Sequence, residues 1–329
     1  MVTWSSNAQK LSTPQSLRPL QLAMHGPSVE LHCDLPEMQA SIARLLAPFV
    51  VSEIPTGMGV IRGAIRTYDQ AEVVRRLPST AQALHRPGDL TEIYANDERF
   101  WTIDDRWGMC EINILRGQWQ SWVVDRPRID AMRLFEGAVM WPLAQLLKHR
   151  GIHLIPAAAV ARGPLAMLFL SPVSLGPELA ALLAGGFRLI GQRWTCLREE
   201  HNHLELLHVP GAVERQAAGA PFGQTASEWE DLTTHVPDSS QRHAFCGAVM
   251  IVESGRRPRA HLKVVNPEDA GTLLRRLWPM PELHPQRRYG QFPQRVAQLC
   301  QCFQLQFSRE PRDILALINS LDQAPANAG

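Results

Sequence analysis

The eight residues Ser171-Pro-Val-Ser-Leu-Gly-Pro-Glu178 lie between an apolar run of strand length, Leu165-Ala-Met-Leu-Phe-Leu170, and a stretch of strong helix formers, Glu178-Leu-Ala-Ala-Leu-Leu-Ala184. Strand, loop and helix in that order frame a phosphate-binding loop. A working loop reads G-x-x-x-x-G-K-[ST]: glycines let backbone N–H groups approach the phosphates, the lysine contacts them, and the hydroxyl holds Mg²⁺. Here Ser171 stands at the first glycine, Ser174 lies inside the loop and Gly176 is kept. Pro177 replaces the lysine and Glu178 replaces the hydroxyl. Proline removes a cation and a donor but suits the first turn of a helix. Glu178 at a helix N-terminus favours the dipole and puts negative charge where an anion would bind. The expectation is a loop that caps its own helix instead of holding phosphate.

Other groups that could do chemistry have simpler explanations. His201, His203 and Glu205 would share one face of a strand, with His208 nearby, yet the spacing matches no diagnostic zinc pattern and solvated histidines on a hairpin account for it. No metal is expected. Glu98, Asp104 and Asp105 near Trp101 read as a turn rather than an acid–base cluster. No G-x-S-x-G occurs and Ser171 has no assignable base. The basic runs Arg256-Arg257-Pro-Arg259 and Arg287-Arg288 are the best interaction patch for an acidic partner.

The elements that must position these residues are legible from periodicity. Residues 1–27, with Pro14, Pro19 and Pro27, read as a loosely held extension, and 28–127 as a small α+β region. In it Val29–Cys33, Ala64–Tyr68, Leu90–Ala95, Met109–Leu115 and Trp119–Val124 read as strands and Pro36–Leu46 as a helix. Arg128 to Arg150 carries an amphipathic helix closed by Gly151. From there to 321 strands and helices alternate: Ile152–Val160, Leu165–Leu170, the altered loop and its helix, Phe187–Ile190, a loop-rich insertion over 211–241, and Gly247–Glu253. A basic turn over Gly255–His261, helices at Pro267–Leu277 and Gln291–Leu299, the strand Phe303–Phe307 and the helix Arg312–Leu321 follow, with 322–329 as a tail. The fold class is α/β and α+β: a mixed-sheet domain with a smaller N-terminal α+β region.

Composition narrows function by exclusion. A net charge of +1 over 329 residues gives no general pull toward nucleic acid or membrane surface. No apolar run approaches 18 residues and no signal peptide opens the chain, so a cytoplasmic protein is expected. The cysteines Cys33, Cys110, Cys196, Cys246, Cys300 and Cys302 form no C-x-x-C pair and read as reduced and buried. Only three of the 33 basic residues are lysines, Lys10, Lys148 and Lys263, so none between 149 and 262 can replace the missing phosphate lysine.

The order of these pieces resembles the C-terminal domain of the HPr kinase/phosphorylase family, particularly HPr-kinase-like proteins of peptide or cofactor biosynthesis clusters. The resemblance is carried by Ile155-Pro-Ala-Ala-Ala-Val-Ala-Arg162, the strand, loop and helix that follow, and Gly186-Phe-Arg-Leu-Ile-Gly-Gln-Arg193. It extends weakly to Cys110 and to the closing strand and helix over Phe303 to Ile318. The resemblance implies a bacterial P-loop domain with a histidine, an intact loop and two aspartates organising metal and nucleophile. This chain has Pro156 at the histidine, Pro177 and Glu178 in the loop, and Gln192 and Arg193 at the aspartates. Phosphoryl transfer depends on positioning and on charge neutralised by lysine and Mg²⁺, so the ancestral route is closed. The resemblance therefore implies a degenerate, pseudokinase-like binding or scaffolding subunit with no cofactor, a protein or peptide partner, and a homo-oligomer left open. The alternative is an atypical ATP-dependent kinase of a small molecule, peptide or protein serine, using Arg188 or Arg193 on phosphate and Glu199 or Glu200 on Mg²⁺. A third reading keeps a different metabolite in the altered loop.

Overall fold

The computed structural model describes residues 18–323 apart from 55–58, 69–76, 79, 84–90, 97–98, 105–106, 125–130, 164, 173, 210–212, 216–227, 231–239 and 278–290. The chain forms two compact units that meet in sequence at Gly151 and Ile152. Residues 128–321 read from sequence as one domain, yet the amphipathic helix that opens them lies in the first unit.

In the first unit, β1 (Leu20–Ala23), β2 (Ser28–Cys33), α1 (Pro36–Leu45), β3 (Val60–Tyr68), β4 (Gln82–Ala83), β5 (Thr91–Ala95), β6 (Arg99–Asp104), β7 (Gly108–Asn113) and β8 (Gln118–Val124) precede α2 (Ala131–Phe135) and α3 (Trp141–Lys148). The eight strands make one sheet in the order β1-β2-β3-β8-β7-β6-β5-β4. Strands β2, β3 and β8 are parallel, and β8 to β4 form an antiparallel meander. Strand β1, with Leu20 and Leu22 buried, lies in the segment read from sequence as a loose extension. Alternation sends Phe100 and Trp101 to opposite faces, and both are buried, so this sheet is covered on both sides. Trp101, Met109 and Trp122 cluster on one face with Tyr94 and Ile103.

The other face is fixed to the helix by its backbone. Between α2 and α3 the chain takes one π-helical stretch, Glu136–Met140, in which the Trp141 N–H reaches the Glu136 carbonyl. In an α-helix the Ala138 carbonyl would accept from residue 142, but that residue is proline and has no N–H. The freed carbonyl accepts instead from the Trp119 indole at 3.1 Å and the Ser121 hydroxyl at 2.7 Å, both on β8. Gly137 is required beside it, since a Cβ there would overlap the Trp107 ring.

The second unit comprises β9 (Ile152–Pro156), β10 (Ala158–Arg162), β11 (Leu165–Leu170), α4 (Gly176–Ala184), β12 (Arg188–Gly191), β13 (Trp194–Glu200), β14 (His203–Leu207), β15 (Val213–Arg215), β16 (Glu228–Glu230), β17 (His243–Arg257), β18 (His261–Val265), α5 (Pro267–Leu277), α6 (Phe292–Leu299), β19 (Gln301–Ser308) and α7 (Asp313–Gln323). The expected mixed α/β architecture is the one found. Residues 152–162 and 188–200 form one long antiparallel ribbon, broken between the pairs Pro156↔Trp194 and Ala159↔Gly191 and shifted in register between Ala159 and Val160. A Cβ on Gly191 would overlap the Trp194 carbonyl, and the Thr195 hydroxyl donates to the Ala157 carbonyl at 2.8 Å, which together hold the corner. One half of the ribbon pairs through β10 with β11, the other through β13 with β14, and β17 pairs with both β11 and β14. The ladder thus returns on itself, with β19 and β18 added beyond β17.

Strands β11, β17 and β19 are mutually parallel. Over them lie Leu179, Leu182 and Leu183 of α4 and Ile314 and Ile318 of α7, packed on Phe169, Met250, Val252, Phe303, Leu305 and Phe307. Each buried leucine or isoleucine contributes roughly 1.5 to 3 kcal/mol, which anchors α4 and so fixes where the altered loop ends. Helices α5 and α6 pack on each other and against β19.

Candidate functional site

Three parallel strands end at the same side of the second unit, and a loop leading from such a carboxyl end into a helix N-terminus is a place for an anion. Strand β11 ends there at Leu170, β17 at Arg257 and β19 at Ser308. The loop from Ser171 to Leu175 then leads into α4, whose first residues are Gly176, Pro177 and Glu178. Ser171 is half-buried, Ser174 and Pro177 are exposed and Gly176 is buried. The sequence-derived strand limits are those of β11, and α4 opens with the proline turn expected of its N-terminus.

Glu178 points inward and is 1% exposed. Arg256 Nη2 lies 2.7 Å from its Oε1 in an ion pair, and among the described residues neither carboxylate oxygen has a hydrogen-bond donor. Arg256 also donates through Nη1 to the Ser308 carbonyl at 3.0 Å, which ties the guanidinium to the end of β19. The cation reaches this place by way of a bulge: between Val252 and Arg256 the β17 register advances four residues against two on β19, from Leu305 to Phe307. Gly255, with φ of 98°, supplies the left-handed residue. Arg256 then stands opposite Phe307, on the face covered by α4, and Arg257 stands opposite Ser308 on the other. At the position where a loop of this kind would seat phosphate, the chain presents its own carboxylate beside its own guanidinium, at the positive end of a helix.

The remaining residues singled out from sequence are dispersed. Gln192 is buried and Arg193 half-buried at the ribbon corner. Arg188 is exposed at the start of β12. Glu199 accepts from Arg295 Nε at 2.9 Å, while Arg295 Nη2 donates to Asn202 at 2.7 Å; the Glu199 contact raises the pKa of Arg295 above its usual value. Glu200 lies 3.2 Å from Arg198. At roughly 3.3 Å per residue, the extended run from Arg193 to Glu199 separates them by about 20 Å, so the phosphate and metal ligands of the kinase alternative are not brought together. Arg259 is exposed beyond β17, and Arg287 and Arg288 lie outside the described residues.

The histidines do not converge either. His201 and Asn202, with φ of 49° and 63°, form the turn between β13 and β14. The His208 ring meets the Ile190 carbonyl at 2.8 Å, and His203 lies near Phe245 with ring centroids 5.6 Å apart. Sequence reasoning missed the partners of Glu205: Arg198, directly across the ladder, donates to it at 2.7 and 3.2 Å, and His243 Nδ1 lies 3.1 Å away. Only cross-strand register, which periodicity does not supply, could have found them. Among the described residues no three His, Cys, Asp or Glu are grouped to hold a metal ion. Asp104 is buried on β6, and Glu98 and Asp105 lie outside the described residues. All six cysteines are free and buried. Burial pushes the Cys33 thiol up to about 11 and the Cys110 and Cys302 thiols up to about 12, which leaves them without thiolate character near neutrality. No helix among the described residues is long and apolar enough to cross a membrane.

No protein-family model matches the chain, and no curated protein does. Among solved structures, the HPr(Ser) kinase/phosphatase from Coxiella burnetii aligns over 52% of this chain and 97% of its own, at 14% identity and a TM-score of 0.30. So loose an overlap leaves function to be argued from the side chains.

Proposed function

We propose that this chain is a degenerate HPr-kinase-like protein that does not transfer phosphate and acts as a non-catalytic subunit binding a protein or peptide partner. The observation that carries the reading is Glu178, buried at the head of α4 and paired with Arg256. A phosphate entering there would meet a carboxylate, and Arg256, the cation beside it, is already neutralised by that carboxylate. Pro177 contributes no donor, and no metal cluster among the described residues could offset the charge. The frame of strand, loop and helix is kept by the packing of Leu179, Leu182 and Leu183, which requires no ligand.

Calorimetric titration of the full chain with ATP, with and without Mg²⁺, tests this. The native chain is expected to give no saturable heat, and Pro177→Lys/Glu178→Ser is expected to gain binding of at least about tenfold by restoring a cation and removing the carboxylate. Saturable Mg²⁺-dependent binding with nucleotide hydrolysis by the native chain would sink the proposal.

A further inference from the structure

Strand β18 forms an edge of the second unit's sheet: it pairs antiparallel with β19 and, among the described residues, with nothing else. In an antiparallel pair alternate residues direct their N–H and C=O groups away from the neighbour, so β18 offers a row of unused backbone donors and acceptors. Natural edges are usually blunted by prolines, bulges or very short strands. His261-Leu-Lys-Val-Val265 has neither proline nor glycine, and its pairing with β19 runs without a bulge. Lys263 is the one charged edge device present.

The two faces of β18 differ in chemistry. Leu262 packs partly on the core beneath α4 and α7, and Val264, two residues on along the same face, is 62% exposed. His261 and Lys263 project from the opposite face and are exposed. The turn that leads into the strand adds Arg259, also exposed; Arg257, the last residue of β17, is exposed across β19 from it. Among the described residues Arg257, Arg259 and Lys263 have no ion pair, in contrast to Arg256, which Glu178 holds. From Ser254 to Asn266 there is no acidic residue at all.

We infer that the free edge of β18 receives an extended segment of a partner protein or peptide in which acidic and apolar side chains alternate. Cross-strand pairing would set its apolar side chains on Leu262 and Val264 and its carboxylates on Lys263, with Arg259 in the turn that leads into the strand. The alternation of β18 itself makes this occupant fit better than a nucleic acid, which would use the cations but neither the backbone edge nor Val264. This assignment rests on the binding-subunit reading above and names its surface.

The test is fluorescence anisotropy of the full chain with a labelled peptide of four Glu-Val repeats and, as control, four Lys-Val repeats, together with amide hydrogen exchange. The Glu-Val probe is expected to bind saturably and at least about tenfold more tightly than the Lys-Val probe, and to slow exchange at His261–Val265. Arg259→Glu/Lys263→Glu should lose at least about tenfold in affinity. Val264→Asp, at an exposed position, should weaken binding with an unchanged melting temperature. Equal binding of the two probes, protection confined to other strands, or displacement of the peptide by a mixed-sequence oligonucleotide that leaves β18 amides unprotected would overturn the inference. A chain that hydrolyses ATP yet binds the Glu-Val probe on β18 would end the non-catalytic reading and keep this one. Absence of nucleotide binding with no preference between probes would do the reverse.

Discussion

Arg256 and Arg257 are neighbours on one strand and have opposite fates. Arg256 turns under α4 to a buried carboxylate, whereas Arg257, one residue on and therefore on the other face, stays in solvent, as do Arg259 and Lys263. Where a ligand would be expected from the architecture, the chain has satisfied its own charge. Where the architecture gives no such expectation, at the edge of the sheet, charge and backbone have no partner among the described residues. A strand, loop and helix frame and a binding site are thus separable: the first needs only apolar packing, and the second needs uncompensated polar groups.

Breaking the inner pair should have the largest effect. Arg256→Ala leaves the Glu178 carboxylate buried without its cation and is expected to cost about 3 kcal/mol, read as a lowered urea midpoint at unchanged slope. Glu178→Gln should cost about 1 kcal/mol, because the half-exposed guanidinium it abandons can turn to water. Equal losses would mean that the pair is not the asymmetric one described. A smaller effect is expected for Glu205→Ala, about 1 kcal/mol by thermal or urea unfolding, since Arg198 and His243 both reach solvent. The outer arginines should matter least to the fold: Arg257→Ser/Arg259→Ser is expected to stay within about 0.5 kcal/mol of the native chain in the same measurement. A loss of stability comparable to that of Arg256→Ala would show that these residues are structural and remove the contrast.

Much of this was legible in the sequence wherever a local pattern decides. The apolar run Leu165–Leu170 is a strand with those limits, and Pro177 marks the first turn of the following helix. The stretch from Gly255 to His261, with its glycine, proline and arginines, reads as a turn, yet β17 continues into it as far as Arg257. Pairing with β19 overrides the local signal, and the bulge at Gly255 absorbs the extra residues. The self-filled loop was half visible: a glutamate at the head of a helix announces capping, but its cation lies 78 positions away in sequence and no local signal links the two. Strand β6 was missed for a similar reason, because Glu98, Asp104 and Asp105 suggest a turn while Phe100 and Trp101 find cover on both faces only after the sheet has formed.

Pro142 has a consequence for how the first unit comes together. A proline at that position takes from the helix one of its own bonds, so the segment from Ala131 to Lys148 is a poorer helix in isolation than its apolar spacing suggests. The deficit is made good only when Trp119 and Ser121 arrive from the sheet. Helix and sheet are thereby made conditional on one another: the segment completes its structure by docking, and it docks in the one alignment that brings those two donors to the Ala138 carbonyl.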